Sequence, residues 1–282
     1  MTAAFATAEK YLREMSLMPD LLVNIEDHIA TLTLNRPEAR NALSEEMRTL
    51  LKESLCEIES DDNVRCVVIR GAGEHFMAGG DVKSMSTMLD EEPEKIRVAF
   101  RKRIYEGINS IMLSIRRMPK PVIASVSGAA AGAGVSMAMS CDLVIADSDS
   151  FFTLAYCHIG TTPDGGASFQ LPRSVGVKRA MEIALLGDRY DAETARSLGM
   201  INFVSKPGEL ANETQKLANR LSLGPTHVYA NTKKLLYQSI GNDFETQLQM
   251  EADFFADCAS RKDFKEGVTA FVEKRRTNFK GN

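Results

Sequence analysis

The chain carries no surplus of positive charge. Lysine and arginine total 34 against 38 aspartates and glutamates over 282 residues, a net charge of -4. Nothing here neutralises a polymer of phosphates, so nucleic acid is not an expected partner. Paired-cysteine motifs are missing too, since Cys56, Cys66, Cys141, Cys157 and Cys258 form no CxxC spacing. Thiols of this kind, mostly in apolar contexts, suit a reducing compartment where they pack as small hydrophobes; structural disulfides and zinc are not expected. No apolar run of signal-peptide length occurs in the first twenty residues, where Glu9, Glu14 and Asp20 break the pattern. No later stretch reaches the about 18 apolar residues that a membrane span needs. These absences predict an intracellular, cytoplasmic protein without a membrane partner.

What is present alternates between strand and helix. "LLVNIEDHIATLTL" reads as two short antiparallel strands, 21–26 and 29–34, followed by the loop "NRPEARNA". Ser44 is a candidate N-cap, and Met47, Leu50, Leu51, Leu55 and Ile58 then share one helical face. "VRCVVI" (64–69) is a buried strand. Ile96, Phe100, Ile104, Ile108, Ile111, Met112 and Ile115 predict one apolar stripe on a helix that Pro119 stops. Strands at 121–127, 141–146 and "FFTL" follow, with a helix over 132–140; beyond "INFV" (201–204) the pattern is helical, at about 208–223, 226–239, 243–259 and 263–274. The order predicts an α/β class. It divides into an N-terminal extension (1–20), an α/β core (21–206) and a C-terminal helical region (207–282) that folds over its own site or packs on a neighbour.

Two turns are built from small residues. "HFMAGGDVKSM" (75–85) and "SGAAAGAGVSMAMS" (127–140) each run from a strand through Gly and Ala toward a helix. Side chains this small let a ligand approach the backbone, and N–H groups near a helix start lack partners and carry partial positive charge. Two such donors aimed at one point make an oxyanion hole; the alternative is tight packing of helix on sheet. "GAAAGAG" does not spell GxGxxG, so a dinucleotide site is discarded. Ser136 in "GVSMA" is weighed as a nucleophile with His158 or His227 as base, but it lies too far from its strand and reads better as a buried helix serine. Asp164 in "TTPDGG" has the context of a turn residue or helix cap, against a role as acid or base. Asp81, Asp142 and Asp147 are competing acids, the last two with structural roles.

Five blocks in order carry a resemblance over nearly the whole chain: "NRPEARNALS", "FMAGGDVKSM", "PVIASVSGAAAGAGVSMAMSCDLVIA", "IGTTPDGGASFQLPRSVG" and "EGVTAFVEKRRTNF". Together they resemble the enoyl-CoA hydratase/isomerase (crotonase) family. The resemblance implies a core of repeated β-β-α units spiralling through two nearly perpendicular sheets, a C-terminal trimerisation or lid region, and homotrimers or homohexamers. It implies an acyl-CoA thioester substrate, with no metal and no cofactor beyond the CoA that the substrate carries. Carried over by position, the hole's donors are the N–H groups of Gly80 and Ala133. Ala78, Asp81, Val82, Lys83 and Gly132 neighbour the thioester and pantetheine, Arg40 and Ala42 lie toward the nucleotide, and Phe271 and Lys274 toward the CoA 3′-phosphate, across a subunit boundary or within one.

Departures from the family pattern bear on the reaction. Where typical hydratases carry two glutamates, the resemblance puts Ser136 and Tyr156. Asp164 remains, in a context like that of members, several of them isomerases, that use an aspartate at this turn. Shifting a double bond from the 3 to the 2 position needs one carboxylate that reaches the α and γ carbons, whereas hydration ordinarily needs two acid/base groups. Three readings stay open: an enoyl-CoA isomerase with Asp164 as acid/base, a hydratase of an unusual acyl-CoA in which Asp164 acts with Tyr156 or water, and a non-catalytic acyl-CoA-binding homologue. Tyr156 is a second donor or pocket wall. His158 is expected to be packed.

Overall fold

The computed structural model describes residues 18–282; all of the expected N-terminal extension before residue 18 lies outside the described residues. Six strands form one sheet in the order β1-β2-β3-β4-β6-β9, where β1 is Leu21–Glu26, β2 Ile29–Leu34, β3 Cys66–Gly71, β4 Val122–Val126, β6 Leu143–Asp147 and β9 Phe203–Ser205. The β1–β2 hairpin is antiparallel, pairing Leu21 with Leu34. Every other pairing in this sheet is parallel. A second sheet of three short strands, β5 (Ala129–Ala131), β7 (Phe151–Thr153) and β8 (Tyr190–Asp191), branches from the ends of β4 and β6.

The parallel strands are apolar on both faces because both faces are covered. One face meets the main core, where Leu32, Leu34, Val67, Ile69, Phe76, Ala124 and Phe152 are buried. Burial of such side chains contributes about 1.5–3 kcal/mol each. The opposite face, with Ile29, Cys66, Val68, Ile123 and Ile145, is covered by Ala218, Leu210, Leu217 and Leu221 of the helix Leu210–Ser222. The helix Glu45–Ser60 starts where its sequence predicts, with Met47 N–H donating to Ser44 Oγ at 3.0 Å. Asp142 binds the end of the core to the C-terminal helices, accepting from Val122 N at 2.8 Å and Tyr237 Oη at 2.8 Å and pairing with Lys233 at 2.6 Å.

Three expectations need correction. The stripe from Ile96 to Ile115 is not one helical face: a π turn, Arg103–Ile108, separates the helices Pro93–Lys102 and Asn109–Arg117. Its i→i+5 bonding adds a residue to the turn and slips the register, so Ile108, Ile111, Met112 and Ile115 are buried while Ile96 and Phe100 are only half-buried. Only Cys66 and Cys141 are buried thiols; Cys56 and Cys157 are exposed. His158 is exposed too, and its Nε2 lies 3.2 Å from the Gly187 carbonyl oxygen. Among the described residues, no helix is long and apolar enough to cross a membrane.

Candidate active site

The two small-residue turns lie against each other. Met77 N donates to Ala129 O at 3.0 Å and Ala131 N donates back to Met77 O at 2.9 Å, which zips the first turn onto β5. Leu43 N donates to Gly79 O and Ala78 N to Arg40 O, at 2.8 and 2.9 Å, so the loop after β2 holds the other edge. Contact is close enough to require glycine: a Cβ at Gly134 would stand 2.3 Å from Met77 O, and one at Gly79 would stand 3.1 Å from Ala131 O. Gly132 has φ 51 and ψ -120, a conformation that favours glycine, and it turns the chain into the helix Ala133–Ser140. Ala133 N–H thus precedes any intrahelical acceptor. Among the described residues neither it nor Gly80 N–H donates to a protein oxygen. Ala133 is buried and Gly80 half-buried, and unpaired amides in such places are uncommon unless something else binds them.

The third element is the turn at Asp164. Gly165 and Gly166 both have positive φ, at 58° and 85°, and Ala167 N donates to Asp164 O at 3.2 Å. It is a real turn, yet Asp164 spends its carboxylate on none of it. The following helix Ala167–Val175 is capped by Gly166 without a side-chain bond. Asp164 Oδ1 instead accepts from the buried Tyr156 hydroxyl at 2.6 Å. Ser136 Oγ donates to the Asp164 carbonyl at 2.9 Å and lies 3.5 Å from the Tyr156 hydroxyl. The weighed serine nucleophile has no base: His158 bonds Gly187, and His227 bonds Asp257 between the C-terminal helices. A Cβ at Gly132 would stand 3.8 Å from Tyr156 Cζ. One tyrosine therefore joins the second small-residue turn to the acid.

Burial raises the Asp164 pKa above the ordinary aspartate value, opposed by the Tyr156 hydrogen bond and by the charge of Arg103. No second carboxylate is among its perturbing groups. Burial also pushes the Tyr156 phenol far up, with Asp164 adding to the shift, so Tyr156 stays a neutral donor.

Other residues singled out in the sequence divide into groups. Asp81 caps the short helix Val82–Ser86, accepting from Ser84 N at 3.1 Å, and pairs with Arg36 at 3.0 Å. These partners, against the cost of burial, hold its pKa below the usual value, so it braces the first turn as an ion-paired cap. Val82 and Lys83 follow it on an exposed surface. Arg40 is exposed with φ 50, and Ala42 O accepts from Arg36 Nη1 at 2.8 Å. Phe271 ends the helix Lys262–Val272 at 85% exposure, and Lys274 is exposed just beyond. Sequence reasoning missed Asn41, fully buried with φ 55, which accepts from Arg36 N and donates to Ala72 O and His75 O at 2.9, 2.9 and 2.6 Å. Its only signal was a place in a polar loop. Arg103, whose charge opposes the rise in the Asp164 pKa, was missed because it looks like part of a solvated helix face.

A parallel sheet covered on both faces, with two glycine-tight turns beside a buried acid, defines an α/β enzyme class whose site is built largely from main-chain groups. The family model described as enoyl-CoA hydratase/isomerase matches residues 24–282. The chain belongs to this enoyl-CoA hydratase/isomerase, or crotonase, family. It is 37% identical to "1,2-epoxyphenylacetyl-CoA isomerase" of Escherichia coli over 94% of this chain and 100% of that protein. It is 34% identical to "Trans-2-decenoyl-[acyl-carrier-protein] isomerase" of Streptococcus mutans over 93% of this chain and 98% of that one. A solved enoyl-CoA hydratase from Polaromonas superposes with a TM-score of 0.87 at 36% identity, covering 92% and 99% of the two chains.

Proposed function

We propose that this member is an enoyl-CoA isomerase that moves a double bond from the 3 to the 2 position, with Asp164 as the single acid/base. The observation that carries this reading is the free carboxylate of Asp164: it sits in a turn without capping it, half-buried, and held by one neutral donor. The thioester oxygen accepts from Gly80 N–H and Ala133 N–H. As Asp164 takes the α proton, negative charge moves onto that oxygen, where the two preorganised donors are worth most; removing one such donor typically costs about 2.7–4 kcal/mol of barrier. Asp164, now protonated, returns a proton to the γ carbon. Tyr156 keeps its own proton throughout and orients the carboxylate.

Hydration is less well supported, because it ordinarily needs a second acid/base group near its proton. Ser136 and Tyr156, which stand near Asp164, are both neutral hydroxyls. Phe271 and Lys274 would reach a CoA phosphate from a neighbouring protomer of a homotrimer. The test incubates the purified protein and Asp164→Asn with 3-hexenoyl-CoA and 2-hexenoyl-CoA, separates the products by chromatography and weighs each by mass spectrometry. Isomer without mass change, lost in Asp164→Asn, is the expected result. A product heavier by one water, formed equally by the variant, contradicts the reading, as does binding without turnover of either thioester.

A further inference from the structure

The sheet face opposite the main core changes character along its strands. At the amino ends it is apolar, with Ile29, Cys66, Val68, Ile123 and Ile145 under the helix Leu210–Ser222. Toward the carboxyl ends the same alternation brings up Thr31 and Thr33 on β2, Arg70 on β3, and Ser125 and then Ser127 along β4 and just past it. Arg70 stands between Thr33 and Ser125, its register partners on the two neighbouring strands. Here helix and sheet enclose a cavity of about 160 Å³, walled by Thr31, Arg70, Ser125, Ser127 and Thr214 and by Leu210 and Ala211 of the first helical turn. Its polar groups are donors short of acceptors. Arg70, the exposed member, donates through Nε to Thr33 Oγ1 at 3.1 Å, and among the described residues its terminal nitrogens meet no acceptor. Ser125 Oγ and Thr214 Oγ1 bond only each other, at 2.8 Å, and these residues are 5% and 6% exposed. Two hydroxyls carry two protons and one bond uses one, so the second is a buried donor that no protein oxygen accepts. Among the described residues the amides of Leu210 and Ala211 donate to no protein oxygen either. No Asp or Glu side chain lines the cavity; Asp147, on β6 two strands from Arg70, accepts from Ser148 Oγ at 3.2 Å.

We propose that this cavity is a phosphate-class anion site, taking inorganic phosphate or the phosphoryl group of a small monoester. Donors stand on three sides, the sheet floor, the helix wall and the arginine, which suits a tetrahedral oxyanion better than a planar carboxylate. The start of the helix adds a potential that favours negative charge. The sheet separates this site from Ala133 and Tyr156, which belong to the main core. It is therefore distinct from the acyl-CoA site and rests neither on that reading nor on the isomerase step.

The test is calorimetric titration of the full chain with inorganic phosphate, glycerol 3-phosphate and acetate, at an ionic strength held constant with sodium chloride. One saturable phosphate-class site per chain is expected. Tighter binding of inorganic phosphate identifies the free ion as the ligand, tighter binding of glycerol 3-phosphate a phosphoryl group on a larger molecule, and either supports the site. Arg70→Gln should weaken that binding about tenfold or more, the scale of one hydrogen bond to a charged group. Thr31→Val keeps the side-chain shape and the strand preference, and should weaken it in the same direction; it carries the same reading if Arg70→Gln does not fold. Arg179→Gln, on the exposed helix Val177–Leu186, should leave it unchanged, as should saturating CoA. No saturable phosphate binding by about 10 mM overturns the proposal. Acetate bound as tightly as phosphate also overturns it, as does phosphate binding that Arg70→Gln and Thr31→Val leave unchanged. Displacement of phosphate by CoA overturns it as well, because the anion would then belong to the acyl-CoA site.

Discussion

Tyr156 donates its hydroxyl proton to Asp164 Oδ1 across 2.6 Å, from a buried place at the start of the short helical turn Tyr156–Ile159. A neutral donor there stabilises ionised Asp164 and supplies no second acid/base. It therefore orients the acid and offsets part of the rise in pKa that burial causes.

Replacing Tyr156 with Phe removes an influence that lowers the Asp164 pKa. The acid limb of the kcat/KM profile for isomerisation should move to higher pH, and kcat should fall by about ten- to a hundredfold, the worth of a hydrogen bond to a charged group. A pH–rate profile of the variant beside the parent checks the direction. An unmoved limb would mean that Tyr156 serves only as pocket wall.

Asp164 itself should weaken the fold at neutral pH. Burial raises its pKa in the folded state, so as pH rises past the unfolded value the unfolded chain releases its proton first and stability falls. Asp164→Asn should accordingly melt no lower than the parent at pH 7, and higher if anything, with the gain vanishing below the ordinary aspartate pKa. Thermal melts across that range read it. Activity should drop by about a hundred- to ten-thousandfold, the usual contribution of general acid–base catalysis.

Ala133 begins a helix, the position where proline is tolerated because its N–H has no intrahelical partner. Ala133→Pro deletes one donor of the proposed hole while leaving the helix able to form. Turnover is expected to fall by about a hundred- to a thousandfold, with far-ultraviolet circular dichroism unchanged. A variant with full activity would remove Ala133 from the hole.

Asn41 should matter for stability despite its place in a loop. Its side chain makes three hydrogen bonds and its backbone is left-handed. Asn41→Ala leaves two carbonyls and one amide without partners, at about 1–3 kcal/mol per buried group, and loses a residue suited to positive φ. Chemical denaturation should show a loss of about 3 kcal/mol or more.

Much of the fold was legible because its signals are local and periodic. β1 and β2 alternate apolar with polar residues, β3 and β4 are short mostly apolar runs, and the four C-terminal helices, Leu210–Ser222 through Lys262–Val272, fall within a residue or two of their expected bounds. The π turn was illegible, since a stripe at helical spacing does not distinguish an i→i+4 from an i→i+5 turn when its flanks are both apolar. Asp164 could be singled out, but not separated from a cap, because "PDGG" is equally good sequence for either; only Tyr156, eight residues earlier, decides where its carboxylate points. The packing of Arg48 on Gly107 was hidden by distance along the chain, since the glycine's lack of a side chain has meaning only once the two helices meet.

The most direct test follows solvent deuterium into the substrate. In deuterated water, with 3-hexenoyl-CoA and nuclear magnetic resonance as the readout, the protein should place deuterium at the γ carbon to the extent that the proton on Asp164 exchanges with solvent before it is returned, and Asp164→Asn should place none on the same timescale. Label entering at an undiminished rate in Asp164→Asn, or appearing only in a hydrated product, would contradict the assignment of proton transfer to that one carboxylate.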